Sequence, residues 1–186
     1  MLPKAINFLI FLNLLIICQA SEKKDFNLVL GQPYYEIVNP QIIQRLEYFY
    51  KQLVPGRYSG NCIFILNQQL DKNLDVQLKI LLGIRGKSVK FIDLKVNMCD
   101  ILYRGMSMSI ARKIMVNILQ KSNFPRKCPF KANFIYNASN FIIDDSYFPK
   151  YTPYPMDFNV SIDYFENQEL IAMLQVKGST VPKVKK

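Results

Sequence analysis

The chain of 186 residues contains no histidine and no tryptophan, and only four cysteines and seven glycines. Each shortage removes a class of chemistry. Without imidazole there is no Ser-His or Cys-His nucleophile and no His-bearing zinc site. Three or four cysteines, partly consumed by pairing in an oxidising compartment, cannot build a thiolate metal cage. No glycine-rich loop of the phosphate-cradling kind occurs. Carboxylate pairs remain as acid–base candidates, yet Asp144-Asp145 is the only adjacent acidic pair. Neighbours on a strand point to opposite faces, so a solvated turn is the expected reading there. The expectation is a protein that is not an enzyme and needs neither metal nor cofactor.

What is present begins with a leader. Lys4, an apolar run from Phe8 to Ile17 broken by Asn13, and Cys18-Gln19-Ala20 before Ser21 describe a secretory signal peptide, residues 1–20, too short in its apolar part to cross a bilayer. A secreted, extracellular chain is therefore expected. Roughly 166 residues remain, enough for one domain with a substantial core. Residues 21–56 are read as an N-terminal segment of that domain, 57–181 as its body and 182–186 as a basic tail. Lysine and arginine total 24 against 14 acidic residues, a net charge of +10. The basic residues are scattered and read as a solvated surface, with attraction to anionic lipid or acidic glycan as the alternative. Nucleic acid is not an expected partner, and the chain gives no indication of oligomeric state.

Cleavage leaves Cys62, Cys99 and Cys128. Cys99 and Cys128 bracket a helical pattern, and joining them closes a loop of about 30 residues, worth roughly 3 to 4 kcal/mol on the chain-entropy model. That pair is the expected disulfide. Cys62 lies in an apolar run and reads as a buried free thiol. Two sequons, at Asn137 and Asn159, make those asparagines candidate glycosylation sites. A glycan on Asn159 would require its face of the strand to be open, placing Phe158, Val160, Ile162 and Tyr164 inward.

Periodicity supplies the elements. Asn27–Leu30 is a possible short strand, with nothing firm in the rest of 21–38. From Asn39 to Val54 two readings compete: Ile42, Ile43, Leu46, Phe49, Tyr50 and Leu53 recur at helical spacing, whereas Leu46, Tyr48, Tyr50, Gln52 and Val54 make one face of a strand. Pro55-Gly56 ends the element. Asn61–Leu66 follows as a strand. Leu74, Val76, Leu78 and Ile80 then alternate with polar residues, Gly83–Lys87 turns the chain, and Ser88–Met98 returns with Ile92, Leu94 and Val96 on one face. One amphipathic helix spans Ser107–Ser122, with Ile110, Ile114, Ile118, Ala111, Met115 and Leu119 as its apolar stripe and Arg112, Lys113, Asn117 and Gln120 facing away. Phe134–Ile143 is another strand. Phe158–Tyr164 and Leu170–Val176 form a second hairpin about Glu166–Glu169, and the tail after Gly178 is expected to fray. The sum is a mainly β fold, a two-layer antiparallel β-sandwich with one α-helix packed on it. The pattern fits a solid core or an apolar cavity, and taken alone it favours the solid core.

The segments Leu94–Leu102 and Ser122–Phe130, the helix between them, Tyr151-Thr152-Pro153-Tyr154-Pro155 and the final hairpin resemble an insect-expanded family of small secreted proteins with an uncharacterised domain of the DM8 type, which includes the CheB chemosensory proteins. The resemblance covers roughly 57–181. That family is similar to the ganglioside-activator and ML lipid-recognition sandwiches, so the resemblance implies an immunoglobulin-like cup that holds lipid between two sheets, and it implies a strand at Glu47–Val54. It hands over no catalytic residue. With the apolar strand faces it points to a lipid or hydrocarbon as ligand, possible in chemosensation, and to Leu78, Ile80, Ile92, Leu94, Ile114, Phe158, Val160, Ile162 and Leu174 as lining residues. The alternative is an extracellular interaction module with a solid core, acting on a membrane receptor or channel.

Overall fold

The competition over residues 39–54 is settled by pairing. In the computed structural model, which describes residues 25–84, 86–105, 109–148, 152 and 155–183, Ile43–Val54 is a strand, β3, hydrogen-bonded along its length to β4, Arg57–Leu66. Pro55 and Gly56 join them, with Gly56 at φ +80, the position of a type II turn that a side chain would oppose. Leu46 is buried, whereas Phe49 and Leu53, which a helix would have placed on its apolar stripe, are 51% and 50% exposed. Helical spacing here was a coincidence of a tyrosine-rich strand, and tertiary pairing decided it.

Among the described residues, nine strands form two antiparallel sheets. The larger runs in the order β1 (Phe26–Leu30), β9 (Glu169–Pro182), β8 (Met156–Glu166), β5 (Leu74–Ile84), β6 (Lys87–Asn97), with β2 (Tyr34–Ile37) also paired to β9. The smaller is β3, β4, β7 (Tyr136–Asp144). The sheets pack face to face with two short helices, α1 (Met98–Arg104) and α2 (Ser109–Gln120). The mainly β, two-layer architecture is as expected. The expected signal peptide, most of Tyr151–Pro155 and the last three residues of the basic tail lie outside the described residues.

Several boundaries differ, each for a local reason. There are two helices rather than one, because Asn97 caps α1: its side-chain oxygen accepts from the amides of Cys99 (3.0 Å) and Asp100 (3.3 Å), which ends β6 a residue early. The Asn97 amide group also donates to Lys72 O and Asp75 Oδ1, tying α1 to the start of β5. β2 had no strand pattern of its own and exists by pairing with Glu36 opposite Met173. The tail after Gly178 does not fray: β9 continues to Pro182, which sits opposite Phe26 of β1. Asn117 does not face away, since its amide donates to Ile142 O at 2.7 Å and to the Tyr147 hydroxyl, holding α2 on the edge of β7. Val116, at 44%, is exposed on α2 along with Arg112, Lys113 and Gln120. The β8–β9 turn falls where expected, with Asn167 and Gln168 both at positive φ, as a two-residue hairpin turn requires.

Cys99 and Cys128 are joined, with Cα atoms 5.6 Å apart across 29 positions. The bond pins α1 to the segment carrying Phe130, which bridges Leu70 in both directions by 2.9 Å backbone hydrogen bonds.

Candidate ligand site between the sheets

Two separate clusters of buried apolar residues form, while others, Ile92 and Leu174 among them, are buried outside both. One cluster gathers Ile43, Leu46, Phe64, Leu66, Leu70, Leu74, Phe130, Tyr136, Ile171 and Ala172 at the disulfide end. The other, smaller, holds Leu28, Tyr58 and Phe158, with Tyr50, Leu82 and Val160 packed on it. Phe158 is fixed there by its ring lying over Gly178, where an added Cβ would come within 2.3 Å. Leu78, Ile80, Leu94, Ile162 and Val176 belong to neither cluster and are only half-buried.

Strand register explains where these residues are. Leu94, Leu78, Ile162 and Leu174 stand opposite one another across β6, β5, β8 and β9, and Ile92, Ile80, Val160 and Val176 form the next row. All of the expected lining residues except Ile114 therefore share the inward face of the larger sheet. Ile92, Phe158 and Leu174 are 5% exposed, the rest half-buried. Ile114 sits apart on α2, which packs against β7. Three strands cannot cover six. Of the small sheet, β3 lies against β2 and β9.

Across from the rows, the small sheet contributes residues that the lining list omitted. Tyr48, Tyr50, Tyr58, Cys62 and Phe141 lie on its inward face, with Tyr48 opposite Cys62. The alternation Leu46, Tyr48, Tyr50 was the signal for them, obscured by the helical reading. Tyr48 packs edge-on to Tyr50 at 5.9 Å, Tyr50 edge-on to Tyr58 at 5.7 Å, and Tyr164 of the large sheet stacks on Phe64 at 5.9 Å. Burial pushes the Cys62 thiol up to about 11. It also drives the Tyr48 and Tyr164 phenols well above their ordinary range, with lesser repulsion from Tyr50, Cys62 and Tyr147 on Tyr48 and from Cys62 and Tyr48 on Tyr164. These groups are deep, yet all three keep some accessible surface. A close-packed interior leaves almost none, so these three side chains are less tightly covered than the fully buried members of the clusters. Cys62 is a free thiol.

No charged side chain occurs in the rows described or in the tyrosine face opposite. Charges lie outside instead, as Lys79–Asp163 (3.0 Å) and Lys90–Asp93 (2.9 Å) on the outer side of the large sheet. The Asp144-Asp145 pair is structural: Asp144 accepts from the Ser146 amide and lies 3.9 Å from Arg57, and Asp145 is 3.4 Å from Lys183. Among the described residues no group of acidic, histidine or cysteine side chains could hold a metal, and no helix is long and apolar enough to cross a membrane. Asn137 is exposed at the start of β7 and accepts from its sequon hydroxyl, Ser139 Oγ, at 2.5 Å. Asn159 is half-buried in a central strand, and its Oδ1 is buried without a partner among the described residues. An open groove of about 400 Å³ runs along Arg112, Lys113, Val116, Asn117 and Gln120 of α2.

A search of curated proteins finds no match. Residues 74–160, from the start of β5 into β8 and including both helices and the disulfide, match the model of a family described as "Protein of unknown function (DUF1091)".

Proposed function

We propose that this protein is a secreted, non-enzymatic carrier or presenter of a small apolar molecule, a lipid or hydrocarbon, held between its sheets. The observation that carries the reading is the uncharged, half-buried interior between two packed ends. A site lined by aliphatic and aromatic side chains with few polar groups suits such a ligand. The leader-like N-terminus supports secretion, and the likeness to DM8-type and CheB-related proteins supports a role in chemosensation. Asn137, exposed on an edge strand, suits a glycan better than Asn159. The test is uptake of a neutral apolar dye such as N-phenyl-1-naphthylamine by the folded chain. Saturable fluorescence, displaced by long-chain lipids, is expected; no uptake by folded protein contradicts the proposal.

One observation favours the interaction-module alternative. Phe49, Leu53 and Val54 are half exposed along the edge strand β3, and exposed apolar edges invite partners. Under the carrier reading, Phe49→Ser with Leu53→Ser leaves dye uptake unchanged. Loss of activity on a receptor or channel in that variant, with no dye uptake in the parent, supports the alternative.

A further inference from the structure

Tyr50 has a buried hydroxyl with no hydrogen-bond partner among the described residues. Tyr58, packed against it, and Tyr147 are satisfied. The Leu30 amide donates to the Tyr58 oxygen at 3.2 Å and Tyr58 donates on to Leu28 O at 3.4 Å, while Tyr147 donates to Ile142 O at 2.6 Å. Native interiors leave few hydroxyls unpaired, because burial without a partner is destabilising and phenylalanine would fill the same space without that cost. The ring cannot swing out to find water cheaply, since Tyr48 and Tyr58 hold it edge-on from both sides. It packs on the smaller cluster, as does Val160, which also belongs to the half-buried rows.

We infer that the ligand is a neutral amphiphile whose chain lies along the Leu78–Ile162 and Ile80–Val160 rows and whose single oxygen, of an ester, ketone or alcohol, accepts a hydrogen bond from Tyr50 Oη. This deepens the carrier reading and rests on it. An anionic head is disfavoured by the same surroundings: neither the rows nor the tyrosine face supplies a cation, and an unpaired buried charge is costly. Burial, and then Tyr58, push the Tyr50 phenol to about 12, so it remains a proton donor.

The experiment compares dodecane, methyl laurate and laurate as displacers of the neutral dye at pH 7, on the parent chain and on Tyr50→Phe. The parent is expected to bind methyl laurate about tenfold more tightly than dodecane, the usual scale of one well-made hydrogen bond, and laurate no better than dodecane. Tyr50→Phe erases the ester's advantage, keeps the dodecane affinity and melts at the same temperature or higher. Equal binding of ester and alkane by the parent, tighter binding of laurate, or an ester advantage that survives Tyr50→Phe overturns the inference and leaves the carrier reading standing. A lower melting temperature for Tyr50→Phe gives the hydroxyl a structural partner and also overturns it. If none of the three displaces dye from the parent, both readings fall together.

Discussion

β5 and β8 each pass through two environments. Leu74, at the start of β5, is 2% exposed among Phe130, Tyr136 and Ile171, while Leu78 and Ile80, four and six residues on and on the same face, are half-buried. On β8, Tyr164 packs against the large cluster, Phe158 lies in the small one, and Ile162 between them joins neither. The strand pattern is the same throughout, apolar at every second position. What differs is the facing layer. At the disulfide end, Ile43, Leu46, Phe64 and the segment behind Cys128 fill the space. In the middle the large sheet looks toward tyrosines and a thiol that keep accessible surface. Alternation therefore says which face turns inward, and the opposite sheet decides whether that face is packed.

Four substitutions or conditions break or sharpen the contrast. Phe130→Ala, in the packed end, is expected to destabilise by about 3 to 5 kcal/mol in denaturant unfolding. Replacing Cys99 and Cys128 together by serine costs about 3 to 4 kcal/mol by loop entropy, read as a lower denaturation midpoint with a steeper slope, since the unlinked unfolded chain exposes more surface. Enlargement separates the regions most cleanly: Leu74→Phe costs about 1 to 3 kcal/mol through overpacking, whereas Leu78→Phe costs less than about 1 kcal/mol because it grows into a gap. Equal costs would mean that the middle is as full as the end. The smallest effect is alkaline. Below pH 9 the Cys62 thiol is protonated folded or unfolded; between 9 and about 11 the unfolded chain ionises first, so stability falls as pH rises. Cys62→Ala removes that part of the fall, while the part from Tyr50, between 10 and about 12, persists. A stability that is flat with pH from 9 to 11 in the parent chain would mean that Cys62 is well solvated.

Much of this was legible in residue order. The two hairpins, the shared inward face of Leu78, Ile80, Ile92, Leu94, Val160 and Ile162, and the Cys99–Cys128 bond follow from alternation, turn residues and loop closure. β2 was not legible, because Tyr34–Ile37 has no alternation and owes its conformation to β9. Nor was α1, whose cap is one asparagine at the end of an otherwise regular strand. The tyrosine half of the site was hidden because Leu46, Tyr48 and Tyr50 also fit a helical spacing, and only pairing with β4 excludes the helix. Ile114 was grouped with the rows because an apolar stripe shows that a helix packs, not which sheet receives it.

The claim on which the rest depends is that the space between the two clusters takes up a ligand. Native mass spectrometry of the protein, purified without detergent, tests it directly when the parent is compared with a Leu78→Trp, Ile162→Trp variant designed to fill that space. The account predicts one apolar molecule per parent chain, released on unfolding, and none on the variant. A parent chain that carries no added mass and acquires none when incubated with neutral lipid, or a variant that carries as much as the parent, would contradict it.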